Sequence, residues 1–228
     1  MILWLVLGVW LWSTPPVLSK NDLLGKIDPT QDTRFVKPDN QYTLGSARSQ
    51  YIQKETYAAF IKMAEAAKKD GVTLVIVSAT RTFAMQKTIW EGKWEKEKAI
   101  VNPVARAKKI LLYSSMPGTS RHHWGTDIDL NALNNAYFMS GEGKKVFDWL
   151  HQHADTFGFC QTYTSKEGGT RTGYEEEKWH WSYMPLSRMY LQEYKAKIKA
   201  EDIQGFLGDH VVGQLPILTE FVGGIACL

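Results

Sequence analysis

Ser120-Arg121-His122-His123-Trp124-Gly125-Thr126-Asp127-Ile128-Asp129 is the most informative run in this 228-residue chain. From Thr126 onward the residues alternate in character, as a strand buried on one face requires. Ile128 and Leu130 then share one face, and Asp127 and Asp129 share the other. Ile128 is thus placed to anchor a core while Asp129 points at a cleft. Gly125 permits a backbone turn between His122 and the strand, so that an imidazole and a carboxylate seven positions apart can reach one ion.

A second run, Glu177-Lys178-Trp179-His180, completes the set. Trp179 to Tyr183 reads as a strand with His180 and Ser182 on one face and Trp179, Trp181 and Tyr183 on the other. Glu177 would fall on the wrong face of an unbroken strand, so the chain must bend at Glu177 to Lys178. A hydrolytic zinc site needs three nitrogen or carboxylate ligands, an open position for water, and a base beside that water. His122, Asp129 and His180 can be the ligands.

The flanking segments set the fold class. Tyr57, Phe60, Ile61, Ala64 and Ala67 recur at helical spacing, and the helix is expected to end near Asp70, before Gly71. Thr73 to Val77 is a β-branched run that reads as a buried strand. Phe83 to Leu112 reads as two helices broken at Asn102-Pro103, Ser114 to Thr119 as a loop, and Glu142 to Phe157 as an amphipathic helix stopped by Gly158. Helices mixed with short separated strands, without a βαβ rhythm, indicate an α+β domain. The expected architecture is a small, mainly antiparallel sheet flanked by helices, with the metal site in a cleft on the sheet.

At its ends the chain reads differently. Met1 to Trp12 is an uncharged apolar run, too short for the roughly 20 residues that span a bilayer, and resembles a secretory signal peptide. Residues 1–18 are therefore expected to be a signal peptide, 19–50 an extended arm, 51–190 the catalytic domain and 191–228 a C-terminal extension packed on it. The expected location is the periplasm or cell surface, with no stable membrane span. Cys160 and Cys227 are the only cysteines, and their separation leaves open whether they bridge. The formal charge of +3 is spread among acids without a basic stripe, which speaks against nucleic acid as a partner. His151, His153 and His210 read as incidental, His123 as a supporting or rim residue, and Trp124, Trp179 and Trp181 as packing.

Ser-x-His-x-x-Gly-x-x-x-Asp, followed about 50 residues later by Glu-x-Trp-His, resembles the zinc D-alanyl-D-alanine carboxypeptidases and dipeptidases of the vancomycin-resistance type. It is also similar to related L-alanyl-D-glutamate endopeptidases. Pro117-Gly118 before Ser120, and Ser78, Arg81 and Gln86, match the same pattern, and the likeness runs from about Tyr57 to Met184. The resemblance implies one zinc per chain on His122, Asp129 and His180, with Glu177 as catalytic base. Arg81 would stabilise the developing oxyanion or contact substrate, and Ser120 and Gln86 would bind substrate, Ser120 at the terminal carboxylate. Peptidoglycan stem peptides are the implied substrate and partner. The implied reaction is D,D-carboxypeptidase cleavage, with endopeptidase or L,D-carboxypeptidase activity on the same scaffold, or a non-catalytic wall-binding role, as alternatives. Two positions depart from the family pattern. Lys178 stands where relatives often carry proline, and Asp127 where a small apolar residue is common, which is expected to change the charge of the pocket.

Overall fold

The computed structural model describes residues 17–169 and 171–227. The apolar run read as a signal peptide lies outside the described residues, apart from Val17 and Leu18.

A four-stranded antiparallel sheet forms the floor of the site. It is built from β3 (Ile76–Ser78), β4 (Asp127–Leu130), β5 (Phe159–Gln161) and β6 (His180–Tyr183), in the order β3-β4-β6-β5. A separate two-stranded ribbon pairs β1 (Phe35–Val36) with β2 (Ile52–Gln53). Helices α1 (Lys20–Leu24), α2 (Lys54–Lys69), α3 (Phe83–Lys96), α4 (Pro103–Ile110), α5 (Gly141–His153) and α6 (Met184–Lys197) surround the sheet. The fold is α+β, with small antiparallel sheets flanked by helices.

The long helices form where sequence chemistry predicts them. α2 buries Tyr57, Phe60, Met63, Ala64 and Ala67 on one face. α3 is capped by the Thr82 hydroxyl accepting from the Met85 amide, and α4 starts with the Asn102 side chain accepting from Ala105 and Pro103 in its first turn. Gly158, at φ 81°, ends the 3-10 turn that follows α5.

Two apolar clusters divide the interior. One, beneath the sheet, joins Phe60, Ile76, Ile128, Leu130, Leu150 and Trp181. The other joins Trp90, Trp124, Tyr194 and Val222 with Leu23 near the N-terminus. Each fully buried aliphatic or aromatic side chain contributes about 1.5–3 kcal/mol.

Several expectations need correction. The strand read at Thr73 to Val77 forms later, at Ile76–Ser78; Val72 and Leu74 are buried ahead of it, and the Val72 N–H still closes the end of α2 on the Ala67 carbonyl at 2.9 Å. The segment 19–50 is not merely extended, since it contains α1, strand β1 and two 3-10 turns, and Leu23 and Leu24 are buried. β5 and α6 were not foreseen. β5 is three residues long with no clean alternation, and α6 begins at Met184-Pro185, where proline fits the first helical turn.

After α6 the chain packs back onto the helical cluster through Phe206, Val211, Leu215 and Ile225. A disulfide between Cys160 on β5 and Cys227 fastens it to the sheet, with the Cα atoms 6.2 Å apart. No helix of the described residues is long and apolar enough to cross a membrane.

Candidate metal centre and its cleft

Strand register brings the key residues together. In the β4–β6 pair, Asp129 lies directly opposite His180 and Asp127 opposite Ser182. Side chains facing each other across an antiparallel pair start about 4.5–5.5 Å apart at Cβ. The parity read from sequence therefore places both aspartates, His180 and Ser182 on one face. His122 arrives from the 3-10 turn Arg121–Trp124, which Gly125 ends at φ 69°. A Cβ at Gly125 would meet the Phe35 ring at 2.5 Å, so this left-handed turn needs glycine.

His122, Asp129 and His180 each offer a ligand atom, and these atoms lie within 4.8 Å of one another. His122 Nε2 is 3.2 Å and His180 Nδ1 3.1 Å from the same oxygen, Asp129 Oδ1. Both imidazoles are fixed from behind. His122 Nδ1 contacts the Ala79 carbonyl oxygen at 2.8 Å, so it carries the proton and leaves Nε2 as a free lone pair. His122 Nε2 is buried and makes no hydrogen bond. His180 Nε2 contacts Asp127 Oδ1 at 3.1 Å, which reserves Nδ1 for the cluster. Two nitrogens and a carboxylate oxygen with backing acceptors fit the donor set of catalytic zinc.

Electrostatics agree with the geometry. Burial, then the Arg81 guanidinium, holds His122 below the ordinary histidine range, leaving it neutral. Burial opposes a charge on His180, but hydrogen bonds to Asp127 and Asp129 outweigh it and raise its pKa to about 9. Against the cost of burial, both histidines hold Asp129 ionised, well below the usual carboxylate range. Burial pushes Glu177 up to about 7, with Asp129 adding to the shift and His180, Arg81 and Lys93 opposing it. A carboxyl near neutrality is suited to taking and returning a proton.

Glu177 sits before the turn at Lys178–Trp179, as the bend argument requires. Its Oε2 is 3.8 Å from His180 Nδ1. Its backbone is pinned, since its N–H donates to Tyr163 O at 2.9 Å and its carbonyl accepts from the His180 N–H at 3.2 Å. The Lys178 N–H donates to Asn135 Oδ1 at 3.0 Å, a bond that proline at this position could not make.

Two connected spaces open on the cluster. A cleft of about 540 Å³ runs between α3 and the loop after β4, with Arg81, Asp129, Glu177 and Trp179 in its walls. A recess of about 30 Å³ lies deeper, against Ser120, His122, Tyr163, Tyr174 and His180. Arg81 borders both, and its Nε is buried without a partner, as is Ser120 Oγ. Unpartnered buried polar groups are uncommon in native interiors, and these two face the spaces a ligand would fill.

The other residues singled out in the sequence lie elsewhere. Gln86, expected to bind substrate, lines neither space. It is on the buried side of α3, one turn before Trp90, and its amide donates to Ser115 O at 2.7 Å, so it props the 114–116 loop. Nor does Asp127 alter the charge of the cleft as expected. It is wholly buried behind His180 and accepts from Arg121 Nε at 3.0 Å, from Thr126 Oγ1 at 2.6 Å and from the Ser182 hydroxyl. His123 supports the site from below: Nδ1 contacts the Arg81 carbonyl at 2.6 Å, and Nε2 accepts from the Gly118 amide at 3.0 Å. Burial keeps it neutral, with a pKa of about 3. His151, His153 and His210 are not part of the cluster, and His151 Nε2 contacts Gln161 Oε1 on β5.

Residues 49–186 match the VanY D-alanyl-D-alanine carboxypeptidase family. Among curated relatives, the chain is 30% identical over 193 residues to the putative carboxypeptidase YodJ of Bacillus subtilis, covering 78% of this chain and 64% of the relative. It is 32% identical over 123 residues to a D-alanyl-D-alanine carboxypeptidase of Enterococcus faecalis, covering 54% of this chain and 44% of the relative. The fold resembles the LD-carboxypeptidase LdcB at 24% identity and a TM-score of 0.54, covering 77% of this chain and 81% of that one. With 138 of its residues inside the family match, the chain belongs to the VanY family of D-alanyl-D-alanine carboxypeptidases.

Proposed function

We propose that this protein is an exported zinc D,D-carboxypeptidase that removes the terminal residue of peptidoglycan stem peptides. The observation that carries the reading is the convergence of His122, Asp129 and His180 at the floor of a cleft, with Glu177 3.8 Å from His180. His122 Nε2, Asp129 Oδ1 and His180 Nδ1 would hold the zinc. When bound, zinc supplies Lewis acidity toward a carbonyl oxygen and lowers the pKa of a coordinated water to about 7.

The chain's own groups supply the rest. Glu177 accepts a proton from the attacking water and returns it to the leaving amine. Arg81, bordering both spaces, presents its guanidinium where negative charge develops on the carbonyl oxygen. Ser120 Oγ, unpartnered in the recess, is available to the terminal carboxylate of the substrate. The Cys160–Cys227 disulfide supports export, since such bridges persist in oxidising compartments.

Mass spectrometry of defined stem peptides after incubation with the zinc-loaded protein tests the reading. Loss of a single terminal D-alanine is expected. Cleavage inside the peptide would replace it with an endopeptidase, release of the terminal residue only after an L-configured centre is offered would replace it with an altered stereochemical preference, and no cleavage would refute catalysis.

A further inference from the structure

One charged group in the cleft enters the chemistry above only through its field on Glu177 and touches no reacting atom. α3 turns Gln86, Trp90 and Trp94 into the core. The positions just before those tryptophans, Ile89 and Lys93, are spaced i,i+4 and share the flank that lines the cleft, across from Leu133, Asn134 and Trp179. Lys87, on the same helix, is accounted for by the Gly205 carbonyl at 2.5 Å and Glu91 at 3.6 Å. Lys93 is half-buried, yet its ammonium makes no hydrogen bond or ion pair with any described residue.

A half-buried ammonium without a counter-ion is costly unless something outside the chain supplies one. The acids that share the cleft with Lys93 are Asp129, a member of the metal cluster, and Glu177, which acts on Lys93 electrostatically without an ion pair. A divalent ion would balance those two carboxylates and leave Arg81 and Lys93 as the excess charge of the cleft. Burial and the nearby Arg81 disfavour the charged form of Lys93 while Glu177 favours it without a direct contact, so an arriving anion would supply the direct bond that the chain does not.

The arrangement also says which end of a peptide this anion belongs to. Ser120 and the small recess lie on the inner side of the cluster, whereas Lys93 lies in the larger outer cleft. A peptide whose terminal residue enters the recess must run outward past Lys93. We infer that Lys93, with the adjoining wall of α3, forms a subsite for a carboxylate on the acyl part of the peptide, the part left after the terminal residue departs. This inference rests on the carboxypeptidase reading and specifies the substrate class as acidic peptides.

Two N-acetylated tripeptides ending in D-alanyl-D-alanine test it. They differ only in whether the residue before that pair carries a free side-chain carboxylate or its carboxamide. The zinc-loaded wild type is expected to show a KM about tenfold lower for the acid, the scale of one charge-assisted hydrogen bond. Lys93→Gln should remove that preference by raising KM for the acid and not for the carboxamide, while any change in kcat that comes through Glu177 is the same for both peptides. Lys93→Arg should keep it. In parallel, the two product dipeptides are titrated into zinc-loaded wild type and Lys93→Gln by NMR, with the same preference expected in binding. Equal effects of Lys93→Gln on KM for both peptides, or none on either, would overturn the subsite. If the wild type cleaves neither tripeptide the carboxypeptidase reading fails, and the titration alone then decides whether Lys93 selects the acid.

Discussion

The two sides of the His180 imidazole are built on opposite rules. Toward Nδ1 lie groups with bonding capacity to spare: His122 Nε2, Arg81 Nε and Ser120 Oγ are all buried and unpartnered. Toward Nε2 lies Asp127, which already accepts from Arg121, Thr126, Ser182 and His180. The Arg121 side is also connected, since Nη2 donates to Ser182 Oγ at 2.9 Å and Ser182 Oγ lies 2.7 Å from Thr162 Oγ1. Unspent capacity marks where an ion and a substrate belong. A connected network, in which Arg121 Nη1 alone of the groups named on that side lacks a partner, marks where the chain fixes the orientation of a ligand.

Substitutions on the two sides should therefore fail differently. Glu177→Gln, on the open side, should lower kcat by about 10²–10⁴-fold, the usual contribution of a positioned acid–base group, while zinc content is unchanged. Asp127→Ala, on the closed side, should weaken zinc binding about 10–100-fold. It should also cost about 3–5 kcal/mol of stability, because Arg121 would be left charged, buried and unpaired. Asp127→Asn should be milder in both, since it keeps an acceptor for His180. Isothermal titration with zinc and chemical denaturation separate these effects; equal loss of metal in Glu177→Gln and Asp127→Ala would erase the distinction.

Protons should compete with the metal on the open side. Metal-free His180, with a pKa of about 9, is protonated at neutral pH, and a metal must displace that proton from Nδ1. Raising the pH toward 9 removes the competitor, so apparent zinc affinity should climb by up to about tenfold per pH unit between pH 7 and 8, with about one proton released per zinc bound. Titrations in buffers of different ionisation enthalpy measure that proton; a flat affinity profile would show that Asp127 and Asp129 do not hold it on His180. The smallest expected effect on the site comes from Cys160→Ser. Opening a bridge that spans 67 positions should cost about 2–4 kcal/mol of stability by denaturant titration. Zinc affinity should stay the same.

The contrast also explains what could be read without coordinates. The open side was legible because its chemistry is written in residue types at fixed spacing: two imidazoles, a carboxylate, and an acid three positions before the second imidazole. Strand parity placed Asp127 on the same face as Asp129, but parity could not say that β4 and β6 are neighbours in the register that sets Asp127 against Ser182. That pairing is a tertiary fact, and it turns an apparent change of pocket charge into a buried support. Gln86 was misplaced for a related reason, since only the packing of α3 decides which of its faces is buried. The arm and the C-terminal segment were the least legible parts. In the arm α1 packs on α6 and the 3-10 turn Gly45–Ser49 on β3, and in the C-terminal segment the turn Asp209–Gln214 packs on α4, so these elements are held by tertiary contacts rather than by their own periodicity.

Metal content measured alongside hydrolysis tests the central claim most directly. After exhaustive dialysis, wild type and Glu177→Gln should each retain one zinc per chain, while His122→Ala, Asp129→Ala and His180→Ala should lose it. Only the wild type should cleave a peptide ending in D-alanyl-D-alanine. Full zinc retention in the three ligand variants, or undiminished cleavage by Glu177→Gln, would contradict the account.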